Sequence, residues 1–231
     1  MTTLRGMHAF KASLAWRLDG AAADPTAPLV LGLHGHTMDE DRFARMLRPL
    51  LVLPLRFLIP RAPFPVEVRG EKRIGASWYA DDGDAERFAA ALQRTEALLL
   101  GLLHDVEATH GLRPRARILL GYSQGGYCGA PCALRHPELF SGLIVSGARV
   151  KTEILTDALP AAASRGMRVL LVHGRNDDAV PFEFATRGHD ALRDAGVQVQ
   201  LHATDGGHLL DAAQLTAIET WLIRSSAARP A

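Results

Sequence analysis

Short apolar runs of strand length alternate along this chain with longer helical segments, and this alternation restricts the possible folds more than any other feature. The strand candidates are residues 29–33, 56–59, 116–120, 142–146, 168–172 and 197–203. The helix candidates are residues 40–53, 84–110, 124–136, 182–195 and 210–225. Apolar runs of this length are typical of buried parallel strands. The pattern therefore predicts an α/β fold, with a mostly parallel, doubly wound sheet and helices on both faces.

The length of the chain allows one domain or at most two, and the only linker-like stretch, residues 21–28, is too short to divide domains. A chain of 231 residues can bury roughly 70% of the surface that its unfolded state exposes. We expect a single domain over residues 1–231, with flexible ends at 1–6 and 226–231. Residues 7–18 alternate loosely in polarity and are predicted to add an antiparallel edge strand or hairpin.

Charge and hydropathy exclude several classes of partner. The 26 Lys and Arg residues and 25 Asp and Glu residues are spread along the chain, so we predict no nucleic-acid partner. No apolar stretch approaches the roughly 18 residues of a membrane span, so we predict no stable membrane insertion. Arg5, Lys11 and Arg17 interrupt the N-terminal segment, which favours a cytoplasmic location over secretion. Cys128 and Cys132 stand four apart in a predicted helix, which favours two buried thiols over a disulfide or a metal pair.

A serine in a glycine-rich motif follows the predicted strand at residues 116–120. In such sheets, ligands bind beyond the carboxyl ends of the strands. Residues 121–125 read Gly-Tyr-Ser-Gln-Gly, which matches the G-x-S-x-G nucleophile elbow. An apolar strand precedes the motif and a helical run follows it, as the elbow requires. We therefore predict that Ser123 is a nucleophile.

A serine hydroxyl needs a base that an acid orients. His208 follows the last predicted strand and reaches the same sheet edge as Ser123, so it is the best candidate for the base. Asp177, Asp178 and Asp205 are the candidate acids. Asp177 lies between Ser123 and His208, which gives the chain order Ser, Asp, His that α/β-hydrolases use. We prefer Asp177 to Asp178 because it precedes Val180 by three positions, the position of the acid when the loop turns as such loops commonly do.

Two backbone N–H groups are candidates for an oxyanion hole. Such a hole combines the N–H after the nucleophile with one from the loop after an earlier strand. Gln124 would supply the first and His36 the second. His34 and His36 form an H-x-H pair, but no third ligand stands nearby in the sequence, so we predict no metal.

These motifs together resemble the phospholipase/carboxylesterase family of α/β-hydrolases, which includes acyl-protein thioesterases. The resemblance extends over about residues 29–221. It rests on Leu33-His34-Gly35, Ile59-Pro60-Arg61-Ala62-Pro63, Trp78-Tyr79, residues 121–126, His173-Gly174 with Asp177, Val180-Pro181 and Gly207-His208. Two positions depart from the family pattern: His36-Thr37 stands where leucine and glycine are usual, and Ala80 stands where aspartate is common.

The resemblance implies an α/β-hydrolase fold without a separate cap domain. It also implies a serine hydrolase that cleaves carboxylic ester or thioester bonds of small to medium acyl substrates through an acyl-enzyme intermediate, with no cofactor. Members of this family are often dimers, so a homodimer is left open.

The substrate pocket is less defined by the sequence. Residues 147–167 are too few for a helical cap domain, and residues 61–78, with their prolines and charges, suggest a solvated arm and an open site. Phe64 and Val66 could contact an acyl chain. The pocket candidates are Thr37, Phe64, Val66, Trp78 and Val180.

Other activities on the same fold remain as alternatives. A serine peptidase or a dienelactone-hydrolase-like enzyme is the main one, although the latter uses cysteine at the elbow. A noncatalytic binding protein is expected to have lost one of the three reactive residues, and all three are present. A nucleotide-binding protein would need a glycine-rich phosphate loop, and the spacing matches neither common form.

Overall fold

Seven strands form a central sheet in the spatial order β1-β3-β2-β6-β7-β8-β9 in this computed structural model, which describes residues 13–20 and 23–227. Neighbouring strands run parallel, except that β1 pairs with β3 in the antiparallel sense at one edge. The strands are β1 (Trp16–Asp19), β2 (Leu29–Leu33), β3 (Arg56–Pro60), β6 (Arg117–Tyr122), β7 (Gly142–Ser146), β8 (Arg168–Gly174) and β9 (Gln198–Thr204). This confirms the predicted mostly parallel sheet. The edge strand β1 lies within the segment predicted to add one; residues 7–12 of that segment are outside the described residues.

Six α-helices in the described part of the chain cover the two faces of the sheet. They are α1 (Glu40–Met46), α2 (Ala85–His110), α3 (Gln124–Arg135), α4 (Leu159–Ser164), α5 (Glu183–Asp194) and α6 (Ala212–Ala227). Successive side chains of a strand point to opposite faces. Leu31 therefore belongs to a core that includes residues of α2 to α5, whereas Val30 belongs to a core that includes residues of α1 and α6. The doubly wound arrangement is therefore confirmed, with one apolar core on each face.

Helix α1 is shorter than the sequence pattern predicts. The prediction continued to residue 53, but α1 ends at Met46. Pro49 lacks an N–H, and its ring would clash with the carbonyl of Arg45 if the helix continued. Residues 47–53 form turns instead.

Residues 61–78 contain a β-hairpin that the sequence analysis did not predict. Strands β4 (Phe64–Val68) and β5 (Arg73–Ser77) pair in the antiparallel sense and form their own two-stranded sheet. A 3-10 turn, Arg69–Glu71, and a left-handed residue, Lys72, connect them. The prolines and charges suggest a solvated arm. The hairpin remains mostly exposed along β4 and the connecting turn.

The connection from β7 to β8 contains a short 3-10 turn and α4, and no separate cap domain is formed by the described residues. At the C-terminus, α6 includes residues 226 and 227, which the sequence analysis had assigned to a flexible end. Residues 1–6 and 228–231 lie outside the described residues. Among the described helices, none combines the length and the apolar character that crossing a membrane requires.

Candidate active site

Ser123 lies in a sharp turn between β6 and α3. Its backbone angles are φ 51° and ψ −122°, a conformation that L-residues rarely adopt. The Ser123 N–H donates to the carbonyl of Ser146 at 2.9 Å, and the carbonyl of Ser123 accepts from Gly126 at 2.8 Å. A Cβ at Gly121 would lie 2.5 Å from the carbonyl oxygen of Gly125, so close backbone packing requires glycine there. The turn thus holds the half-buried Ser123 side chain at the carboxyl edge of the sheet.

His208 approaches Ser123 from the loop after β9. Nε2 of His208 lies 3.0 Å from Oγ of Ser123, and Nδ1 lies 2.9 Å from Oδ2 and 3.1 Å from Oδ1 of Asp177. An ionised carboxylate can only accept hydrogen bonds, so Nδ1 carries the proton and donates to Asp177. This tautomer leaves Nε2 free to accept the hydroxyl proton of Ser123.

Asp177 is buried in the loop after β8, whereas the neighbouring Asp178 is exposed. One carboxylate oxygen, Oδ1, accepts from the backbone N–H groups of Ala179 at 3.0 Å and Val180 at 2.8 Å. These bonds fix the carboxylate in the orientation that reaches His208. Of the three candidate acids, Asp177 is the one that the structure brings together with His208 and Ser123.

His173 belongs to a motif noted in the sequence, but its supporting role was not predicted. It is buried at the end of β8, and its Nε2–H donates to the carbonyl of Val180 at 2.8 Å. The same nitrogen lies 3.2 Å from Oδ2 of Asp177. The signal was available, because His173 precedes Asp177 by four residues in the loop after a strand. Its ring holds the loop that carries the carboxylate.

The loop after β2 brings His36 next to the serine turn. Among the described residues, neither the N–H of His36 nor that of Gln124 has a hydrogen-bond acceptor. Thr37 has a positive φ of 65°, and its N–H donates to Ala76 of β5 at 2.9 Å. Two backbone donors are therefore left unpaired beside Ser123, as an oxyanion hole requires.

His34 anchors this loop from within the core. Its Nδ1–H donates to the carbonyl of Gly35 at 2.7 Å, and its Nε2 accepts from the N–H of Ala62 at 3.0 Å. Burial lowers the pKa of His34, which keeps the ring neutral. Both ring nitrogens are engaged, so His34 offers no lone pair to a metal. In the described parts of the chain, no group of three or more His, Cys, Asp or Glu side chains is placed to hold a metal ion.

The side chain of Gln124 ties α3 to the segment after β5. Its Nε2 donates to Oγ of Ser77 at 2.9 Å and to the carbonyl of Tyr79 at 3.0 Å, and its Oε1 accepts from the N–H of Trp78 at 3.0 Å. All of the hydrogen-bonding groups of the carboxamide are used. These contacts hold the first turn of α3, and with it the backbone N–H of Gln124.

A cavity of about 550 Å³ opens beside Ser123 and His208. Of the predicted pocket residues, Thr37 lines this cavity. Burial raises the pKa of Tyr122, another residue of the lining, to about 12, so its phenol stays neutral.

The other pocket candidates lie outside this lining. Trp78 is fully buried, and its indole N–H donates to the carbonyl of His34 at 2.8 Å. Val180 is buried beside Asp177, and Phe64 and Val66 lie on the exposed strand β4. Their expected pocket role rested on loop positions that the sequence could not define.

Comparison with known proteins places the chain in a family. The sequence profile of the phospholipase/carboxylesterase family matches residues 20–225. The chain belongs to this family. A probable carboxylesterase from Oryza sativa subsp. japonica is 30% identical over 219 residues, which cover 87% of this chain and 79% of the rice protein.

Solved structures of other esterases and of a thioesterase share this fold. The crystal structure of esterase PE8 is 25% identical and superposes with a TM-score of 0.76, covering 92% of this chain and 99% of that one. Acyl-protein thioesterase 2 from Zea mays has a TM-score of 0.72 at 16% identity, with coverage of 92% and 99%, and so shows a common fold alone. This member of the phospholipase/carboxylesterase family therefore has the α/β-hydrolase fold, as the family resemblance implied.

Proposed function

We propose that this family member is a serine hydrolase that cleaves carboxylic ester or thioester bonds of small to medium acyl substrates through an acyl-enzyme intermediate. One observation carries the proposal: the hydrogen-bonded chain from Ser123 Oγ through both nitrogens of His208 to the buried Asp177. This chain provides a nucleophile, a base and an orienting acid in contact. The carboxylesterase name of the rice relative supports the same reaction class.

In the acylation step, Oγ of Ser123 attacks the carbonyl carbon of the ester while Nε2 of His208 takes the hydroxyl proton. Asp177 stabilises the imidazolium that forms. The carbonyl oxygen becomes an oxyanion that accepts hydrogen bonds from the N–H groups of His36 and Gln124. When the tetrahedral intermediate collapses, the bond to the leaving oxygen or sulfur breaks, and that atom takes the proton from Nε2.

In the deacylation step, a water molecule replaces the alcohol or thiol. Nε2 of His208 takes a proton from this water as its oxygen attacks the acyl carbon. The second tetrahedral intermediate uses the same two N–H donors. Its collapse breaks the bond to Oγ, which takes the proton from His208, and releases the carboxylic acid. The cycle restores Ser123 and needs no cofactor.

Labelling with a fluorophosphonate probe, combined with a substrate screen, tests this proposal. We expect the probe to modify Ser123, and we expect Ser123→Ala to abolish labelling. Acyl esters and thioesters of graded chain length should be hydrolysed in the presence of EDTA and without micelles. Hydrolysis of peptides alone would favour the peptidase alternative, and labelling at another residue would refute the assignment of the nucleophile.

We further propose a cytoplasmic protein that acts on small-molecule esters or thioesters and can form a homodimer. Light scattering of the purified full chain measures the oligomeric state, and fractionation of the producing cells measures the location.

A further inference from the structure

Three arginines line the cavity beside Ser123. Arg42 and Arg45 come from α1, and Arg73 comes from β5 of the hairpin. Glu71 is the one acidic residue in the lining. Three guanidinium groups thus face a single carboxylate within a space of about 550 Å³ that also contains the reactive serine.

Glu71 is shared between two of these arginines. Its Oε2 lies 3.0 Å from Nη2 of Arg42 and 2.8 Å from Nε of Arg73. Arg73 also donates to the carbonyl of Thr37. Arg45 forms no ion pair with a carboxylate of any described residue. The cavity therefore keeps an excess of positive charge after Glu71 is counted, and Arg45 carries the unpaired part.

Three further carboxylates, those of Asp39, Glu40 and Asp41, lie at the start of α1 and outside the lining of the cavity. Asp39 accepts from the N–H of Arg42 at 2.7 Å as the cap of α1. The carboxylate of Glu40 is bound by Arg61 at 2.6 Å, and that of Asp41 by Arg17 at 2.6 Å. Arg61 adds a positive charge beside Glu40, whereas Arg17 is shared between Asp41 and Asp19. The Asp39 carboxylate also attracts the Arg73 guanidinium. These acids reduce the excess charge near the cavity, but among the described residues none of them pairs with Arg45.

The remaining lining suits the part of a substrate between an anion and a scissile bond. Met38, Met46 and Leu209 add apolar surface to the lining of the cavity. Methionine is flexible and packs against irregular shapes. Guanidinium groups bind carboxylate or phosphate oxygens in a bidentate manner.

We infer that this cavity selects esters that carry an anionic oxygen group, a carboxylate or a phosphate, with Arg45 as the main contact of that group. The inference rests on the proposed function, because it assigns a substrate class to the same site. Charged groups lining a cleft raise the local concentration of an oppositely charged substrate and favour its binding. The anion can be carried by the alcohol or by the acyl part of the ester.

Matched substrates test the inference. In the alcohol series, 4-acetoxybenzoate and 4-acetoxyphenyl phosphate are compared with neutral 4-acetoxybenzamide. In the acyl series, the monophenyl ester of adipic acid is compared with the phenyl ester of its monoamide. Each kcat/KM is divided by the rate constant of alkaline hydrolysis, which corrects for intrinsic reactivity. We expect at least one anion to give a ratio over its neutral partner of about tenfold or more.

Variants and changes in ionic strength test whether the preference for anionic substrates arises in this cavity. We expect Arg45→Gln to bring the ratio close to one and Glu71→Gln to increase it. Arg48→Gln is the matched control, because Arg48 is exposed just beyond α1 and outside the lining, and it should keep the ratio. Raising the ionic strength from about 0.01 M to about 1 M should lower the ratio in the wild type, because screening shortens the range of the interaction.

The outcomes separate this inference from the proposed function. Neutral and anionic esters hydrolysed equally well, in a reaction that Ser123→Ala abolishes, would overturn the anion preference and leave the serine hydrolase intact. A preference that survives Arg45→Gln unchanged would overturn the assignment to this cavity. If no ester is cleaved, or if cleavage survives Ser123→Ala, the proposed function itself fails. A larger ratio for the phosphate than for the carboxylate, or the reverse, identifies the anion.

Discussion

Nδ1 of the His36 imidazole lies 3.3 Å from the hydroxyl oxygen of Ser77, at the end of strand β5. The same oxygen accepts from Nε2 of Gln124, and the Ser77 hydroxyl donates to the carbonyl of Tyr79 at 2.7 Å. With its hydroxyl proton used, Ser77 accepts from Nδ1–H of His36. One buried hydroxyl therefore contacts the side chains of both residues whose backbone N–H groups are assigned to the oxyanion hole.

We predict that Ser77→Ala impairs turnover more than substrate binding. The change removes the shared contact, so the two N–H donors lose part of their alignment with the oxyanion. Loss of one such donor costs about 100- to 1000-fold, and misalignment should cost less, about 10- to 100-fold in kcat, with KM nearly unchanged. Steady-state kinetics with a neutral acetyl ester measures both parameters.

Ser141→Ala is the control for Ser77→Ala. Ser141 also donates to a backbone carbonyl, that of Arg117 at 3.2 Å, but it lies at the opposite end of the sheet. Ser141→Ala should lose about 1 kcal/mol of stability, which is typical of one hydrogen bond, and Ser77→Ala about 1–3 kcal/mol, because its buried hydroxyl has three partners. If both variants lose equal activity, or if Ser77→Ala keeps full kcat, Ser77 has no positioning role.

We predict that Ser123→Ala removes activity without unfolding the protein. Loss of the nucleophile leaves only binding and the oxyanion donors, and the expected decrease in kcat is about 10⁴-fold or more. The left-handed φ of Ser123 is equally strained in alanine, so the melting temperature should hold. Ser123→Gly should also be inactive but melt at a higher temperature, because glycine adopts this φ without strain. Substantial turnover by either variant would contradict the assigned nucleophile.

We predict that Asp177→Asn and Asp178→Asn differ sharply. Asparagine at 177 removes the charge that stabilises the imidazolium and disturbs the His208 tautomer, with an expected loss of about 10⁴-fold in kcat. Asp178 is exposed, and its replacement should change kcat by less than about threefold. Kinetics of the two purified variants decides the assignment, and the reverse order of effects would show that Asp178 is the acid.

We predict opposite stability effects for two helical glycines. A Cβ at Gly126 in α3 would lie 2.6 Å from Cβ of Ala148, which cannot rotate away, so Gly126→Ala should destabilise the protein by about 1–3 kcal/mol. Gly101 in α2 is exposed with open space around it, so Gly101→Ala should stabilise by about 0.5–1 kcal/mol. Urea denaturation measures both, and a neutral Gly126→Ala would contradict the tight packing of α3 on β7.

Local patterns were enough to predict most of the sheet. The bounds of β2 and β7 match the predicted runs, because a strand buried on both faces needs a continuous apolar sequence. The strands of the hairpin were not predicted, because neither of them is a continuous apolar run. Strand β4 alternates in polarity but contains Pro65, which lacks an N–H and reads as a break.

The residues of the candidate site also differ in whether the sequence predicts that they come together. Ser123, Asp177 and His208 follow strands, so parallel topology alone brings them to one edge. The arginines of the cavity carry no such signal, because Arg45 and Arg73 are separated in sequence and meet only through the packing of the hairpin against the loop after β2. The position of Trp78 directly after β5 suggests a pocket residue, but its indole is buried in the core and donates to the carbonyl of His34.

The turn of the β4–β5 hairpin joins neither the seven-stranded sheet nor either apolar core, and Glu71 within it is exposed. Exposed positions away from the core tolerate substitution with small changes in stability. Evolution can therefore alter the charge that the hairpin turn contributes to the cavity without passing through poorly folded variants. A library randomised at residues 69–72 would sample new substrate preferences while the serine turn and its supporting strands stay unchanged, so the hairpin is where paralogues of this protein are expected to diverge first.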